Sequence, residues 1–280
     1  MNSELDGTKP EKAYKNLNFL NSNDARSIRV LCELIEPEQR LRNQRVENTV
    51  VFFGSARSIS GPDAKERARL LREQAEGETD EKKRARLERS AHYSEKLATY
   101  YDSAALLAER ITEWSNQIER PEDRFYICSG GGPGMMEAAN KGALLAKGKS
   151  IGLGISLPFE QSINEYCTPD LSFEFHYFFM RKYWFLYLAK ALVVFPGGFG
   201  TMDELFEILT LLQTRKARKH LPIVLFGSEF WEDILQFENF LKWDVIAEED
   251  LSLFRVIDDV DEAADYLISD LSANYLGRSR

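Results

Sequence analysis

Positive charge is in deficit in this sequence. The 280 residues hold 36 Lys and Arg against 45 Asp and Glu, for a formal net charge of −9 and a pI near 5.1. A general nucleic-acid binder needs a basic footprint, so this balance argues against one. Cysteine and histidine are scarce, with three of each. Cys32, Cys128 and Cys167 lie far apart, and neither a disulfide framework nor a zinc site follows from them. Cys128 sits in an apolar strand pattern and reads as a buried thiol. His92, His176 and His220 show no metal-ligand spacing. No apolar run approaches the length of a membrane span. Residues 1–7 are polar with no apolar stretch behind them, the pattern of a chain without a signal peptide. The expectation is a soluble cytoplasmic protein with no nucleic-acid or membrane partner.

What is present is a chain that is 44% hydrophobic, enough for one large α/β domain with additions or for two small domains. Arg26 to Arg45 predicts a helix with Ile28, Leu31, Leu34 and Ile35 on its apolar face and its regularity limited by Pro37. Thr49–Phe53 predicts the first core strand, and Gly54-Ser55 turns at its carboxyl end, where doubly wound folds place ligands. From Asp63 to Lys96 there are ten basic and nine acidic residues and no proline. That pattern predicts a solvated long helix or helical pair with i,i+4 charge pairs. A separate core helix is expected over 97–114, with Leu106, Leu107 and Ile111 inward. Strands follow at 124–128, 150–156, 173–175 and 221–226, and helices at 135–146 and 178–188. From Glu229 to Asp270 there are fourteen acidic and two basic residues, read as amphipathic helices around 230–241 and 261–267. Strands alternating with helices imply a parallel sheet.

The stretch Ala191–Glu204 organises the rest. Val193-Val194-Phe195 is a buried strand, and Pro196 ends it. Gly197, Gly198 and Gly200 permit φ > 0 and close approach to a ligand. Thr201 is a candidate cap for a helix carrying Leu205, Ile208, Leu209 and Leu212 inward. A helix start with free N–H groups is a phosphate site. Glu204, one turn in, suits the ribose beside that phosphate rather than the phosphate itself.

The spacing Pro-Gly-Gly-x-Gly-Thr-x-x-Glu at 196–204 resembles the signature of the LOG (Lonely Guy) family of nucleotide phosphoribohydrolases, many of which have carried a lysine decarboxylase-like label. Arg181-Lys182, fifteen residues before Pro196, resembles the upstream Arg-Lys of that family. Ser129–Asn140 resembles its earlier Gly-rich loop and Phe52–Ala56 its first strand and turn. The resemblance spans roughly 48–56 and 98–227. It implies a doubly wound, Rossmann-like nucleotide-binding core over 47–228. To this core are added a helical extension over 1–46, the charged helical insertion 63–96 and an acidic helical segment over 229–280.

The resemblance further implies that Arg181 and Glu204 are the catalytic pair. Lys182, Gly197, Gly198, Gly200, Thr201 and Asp203 would then line the substrate site, with Gly54, Ser55, Gly131 and Gly132 contributed by the other turns. Glu160 resembles a family Glu after the third strand, and Thr210 a family Thr two turns past the signature. The reaction implied is hydrolysis of a nucleoside 5′-monophosphate, AMP or an N6-modified (cytokinin) relative, to free base and ribose 5-phosphate. It needs no metal or redox cofactor. A homodimer or higher homo-oligomer is implied, with the aromatic helix 178–188 as a plausible contact. Two alternatives stay open at this point. A non-catalytic nucleotide or cofactor carrier would need the Gly-rich turns but not both Arg181 and Glu204. Lysine decarboxylation would need a lysine in a pyridoxal phosphate context, and none is recognisable.

Overall fold

The segment Val50-Val51-Phe52-Phe53 is apolar without alternation, the pattern of a strand covered on both faces, and it lies at the centre of the sheet. The computed structural model describes residues 10–157 and 163–276. In chain order the elements are α1 (Leu17–Leu20), α2 (Arg26–Asn43), β1 (Asn48–Phe53), α3 (Gly61–Glu76), α4 (Glu81–Asn116), β2 (Phe125–Ser129), α5 (Met135–Leu145), β3 (Ser150–Ile155), β4 (Ser172–Phe175), α6 (Phe178–Tyr187), β5 (Ala189–Val194), α7 (Phe199–Gln213), β6 (Ile223–Phe226), α8 (Ser228–Ile234), α9 (Phe237–Lys242), β7 (Arg255–Ile257) and α10 (Val260–Tyr275).

The seven strands run in the order β4-β3-β2-β1-β5-β6-β7, and every pairing is parallel. This is the doubly wound, Rossmann-like α/β arrangement that the sequence predicts. Successive strand residues face opposite sides, which gives two cores. Val51, Phe53, Leu192 and Val194 pack with Trp184 and Phe185 of α6 and with Leu205 and Ile208 of α7. Val50, Phe52, Ile127 and Val193 pack on the other face with Leu107 and Ile111 of α4, Ala138 of α5 and Leu267 of α10. Each fully buried side chain of this size is worth about 1.5–3 kcal/mol of transfer free energy.

Several local expectations are corrected. The 63–96 segment is a helical pair, but its second helix does not stop at residue 96. α4 continues unbroken from Glu81 to Asn116 and is also the first core helix. The solvated α3 carries the ion pairs Arg69–Glu66 and Arg69–Glu73, and Arg72–Glu95 bridges α3 to α4. Leu107 and Ile111 are buried, whereas Leu106 is exposed. On α2 the core face is rotated. Leu41 and Pro37 are buried and Val30 and Leu34 partly so, while Ile28, Leu31 and Ile35 face outward. Pro37 does not interrupt α2. It lacks the N–H that would bond the Glu33 carbonyl, and the Trp184 indole N–H takes that place at 2.9 Å. The helix expected around 230–241 is broken into α8 and α9, and α10 runs past 267 to Tyr275. β7 was not foreseen. It has three residues, two of them exposed, and no apolar run marks it. Among the described residues no helix is long and apolar enough to cross a membrane.

Candidate active site

Strand β1 is the switch point of the sheet, because the chain leaves it toward β2 on one side and meets β5 on the other. Ligands of such sheets sit outside the carboxyl ends of the strands at this point. Here three turns meet. The Ser55 N–H donates to the Pro196 carbonyl at 2.9 Å, and the Met135 N–H donates to the Ser55 carbonyl at 3.0 Å. The turn after β1 therefore ties together the Gly-rich loop after β2 and the one after β5. Between them opens a cleft of ≈ 810 Å³ lined by Gly54, Ser55, Gly131, Gly132, Arg181, Gly197, Gly198, Gly200, Thr201 and Glu204. Its size falls in the range of small-molecule sites.

The start of α7 is open. No side chain caps it, and the first helical N–H to find an acceptor beyond the cap is that of Met202, on the Gly198 carbonyl. Thr201 is not the cap expected from sequence. It is buried on the first turn, and a Cβ added to Gly197 would stand 2.1 Å from its hydroxyl. The three glycines of this turn also act otherwise than expected, because none has a positive φ. A Cβ at Gly198 or Gly200 would meet nothing within 4 Å, so these two leave space over the helix start.

Arg181 comes from the first turn of α6, and Glu204 from the second turn of α7. Their side chains are mostly buried and lie 3.6 Å apart, Nη2 to Oε1. The Arg181 guanidinium carbon is 5.1 Å from the Phe178 ring centre and 5.5 Å from that of Phe185, within cation–π range. Its Nε is buried with no hydrogen-bond partner. Burial pulls the Arg181 pKa down, and Glu204 and Asp203 pull the other way without offsetting it. Burial raises the Glu204 pKa to about 7, against the opposing pull of Lys182 and Arg181. The site thus holds a carboxyl poised near neutrality beside a permanent cation with a spare donor.

The remaining candidates divide. Lys182 is turned to Asp203 at 2.7 Å and Glu207 at 2.6 Å, forming an ion cluster on the flank of α7 rather than a lining of the cleft. Burial works against its charge, but the hydrogen bonds to Asp203 and Glu207 raise its pKa. Thr210 lies farther along α7, its hydroxyl bonded to the Phe206 carbonyl at 2.7 Å, outside the cleft. Glu160 lies outside the described residues. Sequence reasoning did not single out Arg57, Leu97, Ile163, Phe230 or Ile234, all of which line the cleft. Phe230 and Ile234 belong to α8, which follows a strand at its carboxyl end, so the switch-point rule could have found them. Leu97 is a helix residue with no distinguishing signal. Among the described residues no group of His, Cys, Asp and Glu is arranged to hold a metal ion.

Residues 136–267 match the family model described as "Possible lysine decarboxylase". The chain is 28% identical over 174 residues to a pyrimidine/purine nucleotide 5′-monophosphate nucleosidase of Escherichia coli K12. The alignment covers 57% of this chain and 35% of that protein, so the match spans about a third of the length of the curated relative. Among solved structures, TM1055 aligns with a TM-score of 0.45 at 19% identity, covering 79% of this chain and 99% of that one. A molybdenum cofactor binding protein from Rippkaea orientalis aligns with a TM-score of 0.42 at 15% identity, covering 80% and 96%. A Moco carrier protein from Chlamydomonas reinhardtii gives 0.39 at 17% identity, covering 81% and 99%. The family model runs through both the Arg181-Lys182 pair and the 196–204 signature, so the chain is similar to the lysine decarboxylase-like family over the segment that carries these two motifs.

Proposed function

We propose that this protein hydrolyses the N-glycosidic bond of a nucleoside 5′-monophosphate, releasing free base and ribose 5-phosphate in the cytoplasm. The observation that carries this reading is the buried Arg181–Glu204 pair, 3.6 Å apart, in the same cleft as the uncapped start of α7. A phosphate fits the helix start, where N–H groups and the positive dipole end favour an anion and Gly198 and Gly200 leave room. Anchored there, the ribose extends toward Glu204. Cleavage passes through an oxocarbenium-like state, for which a carboxylate near C1′ is a stabilising anion and a base for the attacking water. The water oxygen bonds to C1′, its proton passes to Glu204, and the glycosidic electron pair leaves with the base, which is protonated in turn. Arg181 positions the substrate and supports the leaving side with its unpaired Nε.

The similarity to a nucleotide 5′-monophosphate nucleosidase supports the same substrate class. AMP or an N6-modified relative is the proposed substrate. Among the described residues no lysine lines the cleft, so chemistry through a lysine Schiff base has no group there to start from. A homodimer is proposed as well. Phe178, Phe179, Tyr183 and Tyr187 of α6 are exposed, as are Ile28, Leu31 and Ile35 of the neighbouring α2.

The test is product analysis by chromatography. AMP, other nucleoside monophosphates and an N6-isopentenyl analogue are incubated with the wild type and with an Arg181→Ala, Glu204→Ala double variant. Base and ribose 5-phosphate from the wild type alone are expected. No base from any nucleotide, with AMP binding retained by both proteins, would overturn the hydrolase reading in favour of a carrier.

A further inference from the structure

The Gly-rich loop after β2 is held from behind by one side chain that lies outside every motif singled out in the sequence. Asn164 donates from its Nδ2 to the carbonyls of Gly131 and Gly132, both at 3.0 Å, and to Asn140 Oδ1 at 3.1 Å. Its own backbone N–H donates to the Gly131 carbonyl at 2.7 Å. Asn140 is fully buried and accepts a second bond from the Ser129 hydroxyl at 2.7 Å. That hydroxyl in turn accepts the Gly131 N–H at 3.0 Å. Gly131 has φ +68°, and a Cβ there would stand 2.9 Å from Ile163 Cδ1 and 3.1 Å from the Gly152 Cα. The segment around Asn164 is thus packed directly against the loop.

The consequence lies in one peptide plane. In a trans peptide the N–H points opposite to the preceding carbonyl. With the Gly131 carbonyl bound twice by Asn164, the Gly132 N–H is turned the other way, toward the cleft that Gly132 lines. Gly132 is buried, and its N–H has no acceptor among the described residues. A buried backbone donor without a partner is costly unless a ligand supplies one. This loop and the start of α7 are both bonded to the Ser55 backbone, one through Met135 and the other through Pro196. They address the same end of whatever binds.

We propose that Asn164 is a positioning residue. By holding the Gly131–Gly132 peptide it presents the Gly132 N–H to an oxygen of the ribose-phosphate part of a bound nucleotide. This rests on the nucleoside monophosphate reading above.

The experiment compares wild type with N164D, which keeps the shape but turns a carboxylate toward three acceptor oxygens, and with N164A. Calorimetric binding of AMP and of ribose 5-phosphate is measured from pH 6 to 8.5. Expected is a loss of affinity for both ligands of about tenfold or more. The N164D deficit should narrow toward pH 6, as the introduced carboxyl gains a proton to donate, and the N164A deficit should stay constant. In turnover, KM should rise with kcat little changed. If N164D fails to fold, N164A carries the comparison of affinities. Wild-type affinity in the variants, a loss confined to AMP with ribose 5-phosphate unaffected, or no binding of either ligand by the wild type would each overturn the assignment. Wild-type binding without base release would instead overturn the hydrolase reading and leave Asn164 in its role.

Discussion

Trp184 completes a hydrogen bond that Pro37 leaves open. Pro37 has no N–H for the Glu33 carbonyl one turn back in α2, and the Trp184 indole supplies the donor at 2.9 Å. The Glu33 carboxylate meanwhile accepts the backbone N–H groups of His176 at 2.8 Å and Tyr177 at 3.2 Å, at the start of α6. The helix that carries Arg181 is therefore seated on α2 at its first residues and again at Trp184. Replacing Trp184 by Phe should destabilise the fold by about 1–3 kcal/mol, through the orphaned carbonyl and lost packing. Pro37→Ala restores an N–H at the right place in the helix. Urea unfolding of the two single variants and the double variant should show a smaller Trp184→Phe cost in the Pro37→Ala background. Equal costs in both backgrounds would mean the indole bond contributes nothing.

Glu204 has a pKa raised to about 7 because its carboxylate is buried. The proposed role uses the ionised form, so kcat/KM should rise as pH increases through about 7 and level off above it. Glu204→Gln should lower base release by about 10²–10⁴-fold at pH 8 and remove that limb of the profile. A rate independent of pH between 6 and 8 would separate Glu204 from the chemical step.

The same shift carries a stability consequence of opposite direction. A carboxyl whose folded pKa lies above its unfolded value contributes stability that is fully present below the unfolded pKa, near 4.5, and is lost as pH rises through about 7. The amount at stake is on the order of 2–3 kcal/mol. Denaturation followed from pH 5 to 8 should show the wild type losing this contribution and Glu204→Gln not losing it. The catalytic loss and a relative gain in stability at pH 8 should then appear in one variant, the trade expected of an active-site charge.

The exposed aromatic face of α6 predicts self-association. Sedimentation velocity should give a dimer or larger species, and Phe179→Asp with Tyr183→Asp should shift it toward monomer. A monomer with full activity would remove the oligomer from the account.

The parallel sheet and the meeting of the turns after β1, β2 and β5 were legible because these three strands are short apolar runs that lead into glycine-containing turns. Arg181 and Glu204 were legible through motif spacing, and the structure places them in contact. Glycine identity alone did not reveal backbone geometry. None of Gly197, Gly198 and Gly200 has a positive φ: a Cβ at Gly197 would strike Thr201, whereas Gly198 and Gly200 face open space. β7 escaped notice because a three-residue edge strand has too little burial to leave a pattern. Asn164 escaped because its partners are backbone carbonyls 32 and 33 residues earlier, and backbone acceptors have no residue type to read. The outward turn of Ile28, Leu31 and Ile35 was missed because hydrophobic periodicity marks a face without saying whether the fold or another molecule covers it.

The 36 residues of α4 form one uninterrupted rod, roughly 54 Å long. Its outer end stands in solvent against α3. Leu97, midway along, touches the cleft, and the inner end is sunk among Ala104, Leu107 and Ile111. At the same midpoint Lys96 is paired with Glu229 of α8, whose Phe230 and Ile234 form part of the cleft wall. No loop separates the charged arm from the core, so the arm has no hinge of its own. A displacement of its tip is a tilt of the whole beam about a pivot beside the substrate cleft, and anything that grips the far end has a mechanical line to the place where the nucleotide would lie.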